Sequence, residues 1–201
     1  MEIYIPEPLK ELLPSVLLGQ CESLPFSRGD YLFHLGEPPK RMFYIVSGEA
    51  ILSRTSSHGE ATTLQRCKGG FLSEASLFTD SYHCDAIATH AGTAICLPIH
   101  AFRDSLKKED FSIKWVKLLS REIMRLRTQS ERLGLKDIKS KLIHLIETEG
   151  KSGILTLQSD YKSLASELGI THEALYRTIS RMEDEGLIYR APNSLKLTTK
   201  N

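Results

Sequence analysis

The chain has 201 residues, of which 41% are hydrophobic and 25% charged, a balance that suits one large or two small globular domains and excludes wholesale disorder. It contains no run of about 18 apolar residues that could span a bilayer, and its four cysteines lack the C-x-x-C spacing of a zinc ribbon or the density of a disulfide scaffold. The net charge of +1 hides an asymmetry: residues 1–110 carry ten Lys and Arg against fourteen Asp and Glu, residues 111–201 sixteen against eleven, which points to a polyanion partner for the second half alone.

Met1 to Pro14 carries Glu2, Glu7 and Glu11 and has no basic stretch leading into an apolar one, so the expected location is cytoplasmic and the thiols are expected to be reduced. From Cys21 to about Pro98 turn signals recur at short intervals: Arg28-Gly29-Asp30, Gly36-Glu37-Pro38-Pro39, Ser47-Gly48-Glu49, His58-Gly59-Glu60, Gly69-Gly70 and Ala91-Gly92. Between them lie β-branched and aromatic stretches such as Met42 to Val46 and Ala86 to Thr89. Glycine supplies the positive φ of tight hairpins, and this rhythm predicts an antiparallel sandwich or barrel.

From Phe111 to Leu133 there is neither Gly nor Pro, and Val116, Leu119, Ile123, Leu126 and Leu133 recur at helical spacing, with Ser130 as the one polar member. Arg121, Arg125, Arg127 and Arg132 fall on other faces. A helix of this length between two small domains has little of its own chain to cover such a stripe, so the stripe is expected to be a homodimer seam. Trp115 and Leu118 lie off it and are expected to pack on the β-domain. Gly134 ends the helix before a second helical segment, Asp137 to Glu147.

The stretch Asp160 to Glu183 reads as two helices, Tyr161 to Leu168 and one capped by Thr171 and running to about Glu185, with Gly169 in the turn between them. Leu164, Leu168, Ile170, Leu175 and Ile179 supply a shared core, and Ala165 is small where the helices cross. This is a helix-turn-helix, and Leu187-Ile188-Tyr189 and Leu195-Lys196-Leu197 around Pro192-Asn193-Ser194 add a wing. The exposed first turns of the second helix carry His172, Glu173, Tyr176 and Arg177, and these are the expected base contacts. Arg can donate twice to guanine, and Glu can accept from cytosine N4. Lys162, Ser163, Thr171 and Arg181 are expected at phosphates.

In this order of parts the chain resembles the CRP/FNR family of bacterial transcription regulators over residues 15–200. Two blocks carry the resemblance: Phe43 to Ala50 with Gly69 to Phe78, similar to a cyclic-nucleotide-binding jelly roll, and Thr171 to Arg177 through Glu185 to Ile188, similar to a recognition helix and its turn into a wing. The resemblance implies an α+β chain with a sensory jelly roll at 1–108, a dimerisation helix at 109–134 and a winged helix-turn-helix at 135–201. It makes His172, Glu173 and Arg177 the base-reading set. Thr178 departs from the pattern, standing where an apolar residue is usual. By position, the effector pocket would involve Leu72, Ser73, Glu74, His83 and Cys84.

That pocket departs further. Members that bind cyclic AMP pair Gly with Glu at the ribose and use Arg with Ser or Thr at the phosphate. Here Ser73 precedes Glu74, and Tyr82-His83-Cys84-Asp85 contains no arginine, so a buried cyclic phosphate would lack a fixed cation and cyclic AMP is disfavoured. Four thiolates for an iron–sulfur cluster cannot be assembled from Cys21, Cys67, Cys84 and Cys96. His83 and Cys84 are ligand types for haem iron, yet adjacent strand residues point to opposite faces.

No P-loop, G-x-S-x-G or H-E-x-x-H is present, no metal site is indicated, and no enzyme is expected. The expected protein is a homodimeric regulator on two-fold related half-sites of double-stranded DNA, meeting RNA polymerase if it activates and touching no membrane. The alternative is a ligand-sensing module that signals through protein contacts without binding DNA.

Overall fold

The computed structural model describes residues 3–59, 61–157 and 160–198; Glu60, the last residue of one turn signal, lies outside them. The chain divides into two compact units, Met1–Leu118 and Leu119–Asn201, and the division falls inside one long helix.

Unit 1 opens with two short helices, α1 (Glu7–Leu12) and α2 (Ser15–Leu18), which insert Leu9 and Leu17 into its interior. The strands follow: β1 (Glu22–Phe26), β2 (Tyr31–Phe33), β3 (Arg41–Thr55), β4 (Ala61–Cys67), β5 (Gly70–Phe71) and, after a 3-10 turn at Glu74–Ser76, β6 (Asp85–Pro98). All pairings are antiparallel, in the order β1-β6-β3-β4, with β2 on β6 and β5 on β3. The antiparallel β-domain expected from the turn rhythm is present, in the jelly-roll form that the resemblance implies, with Phe33, Phe43, Ile45, Leu52, Leu72 and Tyr82 among its core residues.

Two turn signals have a different meaning. Ser47-Gly48-Glu49 and Ala91-Gly92 do not end strands; they lie opposite each other within β3 and β6, where the register shifts three times between Ile45 and Ala50. A Cβ on Gly92 would stand 2.0 Å from the Ser47 carbonyl oxygen. One on Gly48, whose φ is +79°, would stand 2.5 Å from that of Ala91. The glycines let two backbones touch at a bulge, which bends a long ladder into a roll.

Helix α3 (Ile99–Ser105) leads to α4 (Glu109–Gly134). As expected, Trp115 is buried in unit 1, its ring 4.8 Å from Phe102 and 4.9 Å from Phe71; Leu118 is half-buried.

Unit 2 continues with α5 (Ile138–Glu149), β7 (Ile154–Thr156), α6 (Tyr161–Glu167), α7 (His172–Asp184), β8 (Ile188–Ala191) and β9 (Ser194–Leu197). Each helix start is fixed by its own side chain. Asp137 accepts from the Ser140 N–H at 2.8 Å, Asp160 from Ser163 at 2.8 Å and Thr171 from Ala174 at 3.2 Å. The wing is a three-stranded sheet, β7-β9-β8, whose first strand the sequence reading did not contain. Leu142, Ile146, Leu164, Leu168, Leu175, Ile179 and Met182 form one core beneath it.

Candidate nucleic-acid interface

Helix α7 is divided sharply by burial. Leu175, Ile179 and Met182 face the core, while His172, Glu173, Tyr176, Arg177 and Arg181 are exposed on the other side. The tight turn before it depends on Gly169, whose φ of +66° an L side chain rarely adopts. Thr178, the polar departure in this motif, is half-buried and donates its hydroxyl to the Ala174 carbonyl at 2.9 Å, so its polar group is satisfied within the helix while Ile179 fills the core.

The four expected base contacts are brought together on the first turns of α7. The His172 ring lies edge-on to Tyr176 at 4.6 Å, and Tyr176 packs against Tyr161 of α6 at 5.2 Å. Arg177 makes no hydrogen bond or ion pair among the described residues, so its guanidinium donors are available to a ligand. The Glu173 carboxyl is held below its ordinary range by its own backbone N–H and by Thr171 at the helix start, and it is an acceptor at neutral pH. A donor and an acceptor thus stand one turn apart on the exposed face of α7.

Of the expected phosphate contacts, Lys162 is exposed on the first turn of α6 and Arg181 is exposed further along α7. Ser163 is half-buried, with its backbone N–H taken by Asp160. Thr171 uses its hydroxyl oxygen as the α7 cap.

Along α4, Val116, Ile123, Leu126 and Leu133 are exposed and Leu119 is half-buried, so most of the stripe is uncovered in the single chain. Arg132, like Arg121, Arg125 and Arg127, lies off the stripe, and those three are exposed. Arg132 is instead 1% exposed.

In unit 1, the five residues expected around an effector have different surroundings. Leu72 is core. The buried Ser73 hydroxyl accepts the Phe43 N–H at 3.2 Å and is directed at β3 backbone. Glu74 starts the 3-10 turn. His83 is exposed with Nδ1 3.4 Å from the Ser76 hydroxyl, whereas Cys84 is buried; both lie in the bend before β6 and not in the strand that the sequence had suggested. Burial raises the thiol pKa of Cys84, and pushes those of Cys21 and Cys96 up to about 11. Sequence reasoning found no arginine in residues 82–85, but the fold brings one from β3: Arg54 donates to the His83 carbonyl from Nε at 3.1 Å and from Nη2 at 2.7 Å. Only the antiparallel ladder, which sets Ser53 opposite Asp85, could have revealed it. An open cleft of about 390 Å³ lies elsewhere, between Leu24, Phe33, Lys40, Arg41 and Tyr82, and none of the five lines it.

Among the described residues no three His, Cys, Asp or Glu side chains are grouped to hold a metal ion, and no helix is long and apolar enough to cross a membrane.

Residues 23–109 match the cyclic nucleotide-binding domain family. The global nitrogen regulator of Synechocystis is 24% identical over 193 residues, covering 89% of this chain and 82% of that protein. The c-di-GMP-responsive global regulator CLP of Xanthomonas campestris superimposes with a TM-score of 0.61 at 15% identity, over 92% of this chain and 97% of that one. A CRP/FNR-family regulator of Thermus thermophilus does so at 0.56 and 23% identity, over 89% and 94%. The fold, a jelly roll followed by a winged helix-turn-helix, is therefore shared along nearly the whole chain with these regulators.

Proposed function

We propose that this chain, CRP/FNR-like in fold, is a sequence-specific DNA-binding transcription regulator that works as a homodimer through α4. The observation that carries the reading is the exposed face of α7, where Arg177 is unpaired and Glu173 is exposed beside Tyr176 and His172 on a helix backed by a continuous core. Two copies joined along the α4 stripe would offer two such faces to successive major-groove half-sites. Lys162 and Arg181 add phosphate contacts, with Ser163 and Thr171 through their hydroxyls. The jelly roll is a sensor, and its signal acts by shifting a population between arrangements of the two recognition helices. If the protein activates, RNA polymerase is the further partner.

The effector is not cyclic AMP in this reading. Ser73 is committed to β3, and Arg54 spends two donors on the His83 carbonyl. Cyclic AMP at micromolar concentration should therefore leave the melting temperature unchanged, since a tight ligand must raise it. Selection of binding sites from a random DNA library tests the central claim. A two-fold symmetric motif is expected, bound with an affinity that falls steeply with salt. Absence of any enriched motif would return the chain to a module acting through protein contacts.

A further inference from the structure

The last turn of α4 holds the most deeply buried charge among the described residues of unit 2. Arg132 is 1% exposed, and taking a guanidinium out of water is costly unless it is paired. Its partners come from two other helices. Nη2 meets Glu149 at the end of α5 in a short ion pair and donates to the Thr148 hydroxyl at 3.1 Å; Nη1 lies 3.4 Å from Glu167, the last residue of α6. The Thr148 hydroxyl passes its own proton to the His144 carbonyl at 2.7 Å, so its oxygen is free to accept from Arg132. Nε is buried and bonded to nothing, so the contacts made by the two terminal nitrogens hold the whole group.

The neighbours of Arg132 reinforce the same joint. Glu131 is 3.5 Å from His144 of α5. Leu133 reaches within 3.5 Å of the place where a side chain on Gly169 would start, in the turn of the helix-turn-helix. The covalent path from α4 to α5 is much weaker. It runs through Gly134, Leu135 and Lys136 to the cap at Asp137, a segment with no apolar core of its own. A helix ending in glycine and a short linker is a swivel unless side chains lock it.

We infer that Arg132 is the positioning residue that makes α4 and the recognition helix one body, so that a movement of α4 reaches α7 through α6 instead of dissipating in the linker. This rests on the DNA-binding reading for its biological meaning, but the mechanical claim stands on unit 2 alone. Arg132 touches no base. It acts through Glu167 on the helix that carries the turn into α7.

The test uses the full-length chain with nitroxides at Arg121→Cys on the outer side of α4 and at Ser180→Cys on the exposed side of α7, both exposed positions, the four native thiols being buried. Labelled chains are diluted with unlabelled ones so that only distances within one chain are read. The parent should give a narrow distance distribution, and Arg132→Met a broad one. The operator affinity of Arg132→Met should fall at least ten-fold while its dimerisation is kept. Arg132→Lys, which keeps the charge but not the fork, should fall between. Glu167→Gln, altering a half-exposed partner, covers the case in which Arg132→Met does not fold, and should broaden the distribution in the same direction. An unchanged narrow distribution in the folded variants would overturn the inference. A parent protein that binds no DNA, yet loses its narrow distribution on substitution, would overturn the proposed function and leave the clamp standing.

Discussion

Each unit buries one prominent charge, and the two have opposite signs. Glu49, 2% exposed, sits where the bulged β3 crosses β6, with the Thr89 hydroxyl at 2.6 Å, Arg66 at 3.0 Å and Lys68 at 3.3 Å. Arg132, 1% exposed, sits where α4 meets α5 and α6. The partners of Glu49 all belong to strands, or their immediate continuation, that already share a hydrogen-bonded ladder, so its carboxylate fixes a local bend in a sheet held by other means. The partners of Arg132 belong to helices that share no ladder, so there the charge supplies the connection itself. A buried ion inside a sheet refines geometry; at a helix joint it creates it.

The comparison would break first at the bulge. If the tight β3–β6 crossing is what makes unit 1 a self-locked roll, Gly92→Ala should destabilise it by about 3 kcal/mol, the upper end of overpacking, because a Cβ there meets the Ser47 carbonyl at 2.0 Å. Trp115 is the single tryptophan and is buried in unit 1, so its fluorescence in urea follows that unit. An unmoved midpoint would mean that the strands part without strain.

An exposed charge should behave unlike either buried one. Arg177→Ala is expected to cost ~1–3 kcal/mol of binding per half-site and to erase preference at one base pair, without changing the stability of unit 2. Lys162→Ala should weaken all sequences alike and flatten the salt dependence. If site selection with wild type and Arg177→Ala returns the same motif, Arg177 does not read bases.

Acid separates the two buried ions. Burial alone would raise the Glu49 carboxyl, but hydrogen bonds from Thr89 and Lys68 and the nearby charges of Lys68 and Arg66 bring it below its ordinary 4.5. The folded state therefore prefers the ionised form. The stability this contributes is present above pH ~4.5 and is lost as pH falls through the lowered value. Glu49→Gln should cost about 1.5 kcal/mol at pH 7, the lower end for hydrogen bonds to a charged group, and should flatten the acid side of the Trp115 stability profile. A variant whose profile matches the wild type would show that other carboxylates govern acid unfolding.

What was legible in the chain followed the range of the interactions. Gly169 and Thr171 act within a turn of their own position, so the helix-turn-helix and the exposed face of α7 could be read directly. The roll was legible as a rhythm, but Gly48 and Gly92 looked like hairpin turns, because a glycine permits a tight reversal and a bulge equally. Arg132 was invisible as a buried group. It stands among other arginines on a polar helix, and its acidic partners lie 17 and 35 residues away. Arg54 was missed for the same reason, its contact with His83 spanning 29 residues. The short β7 was hidden in a segment whose only apolar run is Ile154-Leu155.

The smallest effect concerns a hydroxyl with two roles to choose between. Thr171 caps α7 by accepting the Ala174 N–H at 3.2 Å, and the same group was expected at a DNA phosphate. Its oxygen accepts from the backbone while its proton is given to the Glu173 carboxyl, so a phosphate would have to take that proton over, and the two roles are separable. As a cap alone, Thr171→Ala should lower the stability of unit 2 by about 1 kcal/mol, followed by helical circular dichroism with Trp115 marking unit 1, and Thr171→Ser should restore it. DNA affinity would then fall only slightly, since α7 remains docked through Leu175, Ile179 and Met182. A loss of affinity of ten-fold or more with unit 2 as stable as before would reverse the assignment, making the phosphate and not the helix start the main partner of this hydroxyl.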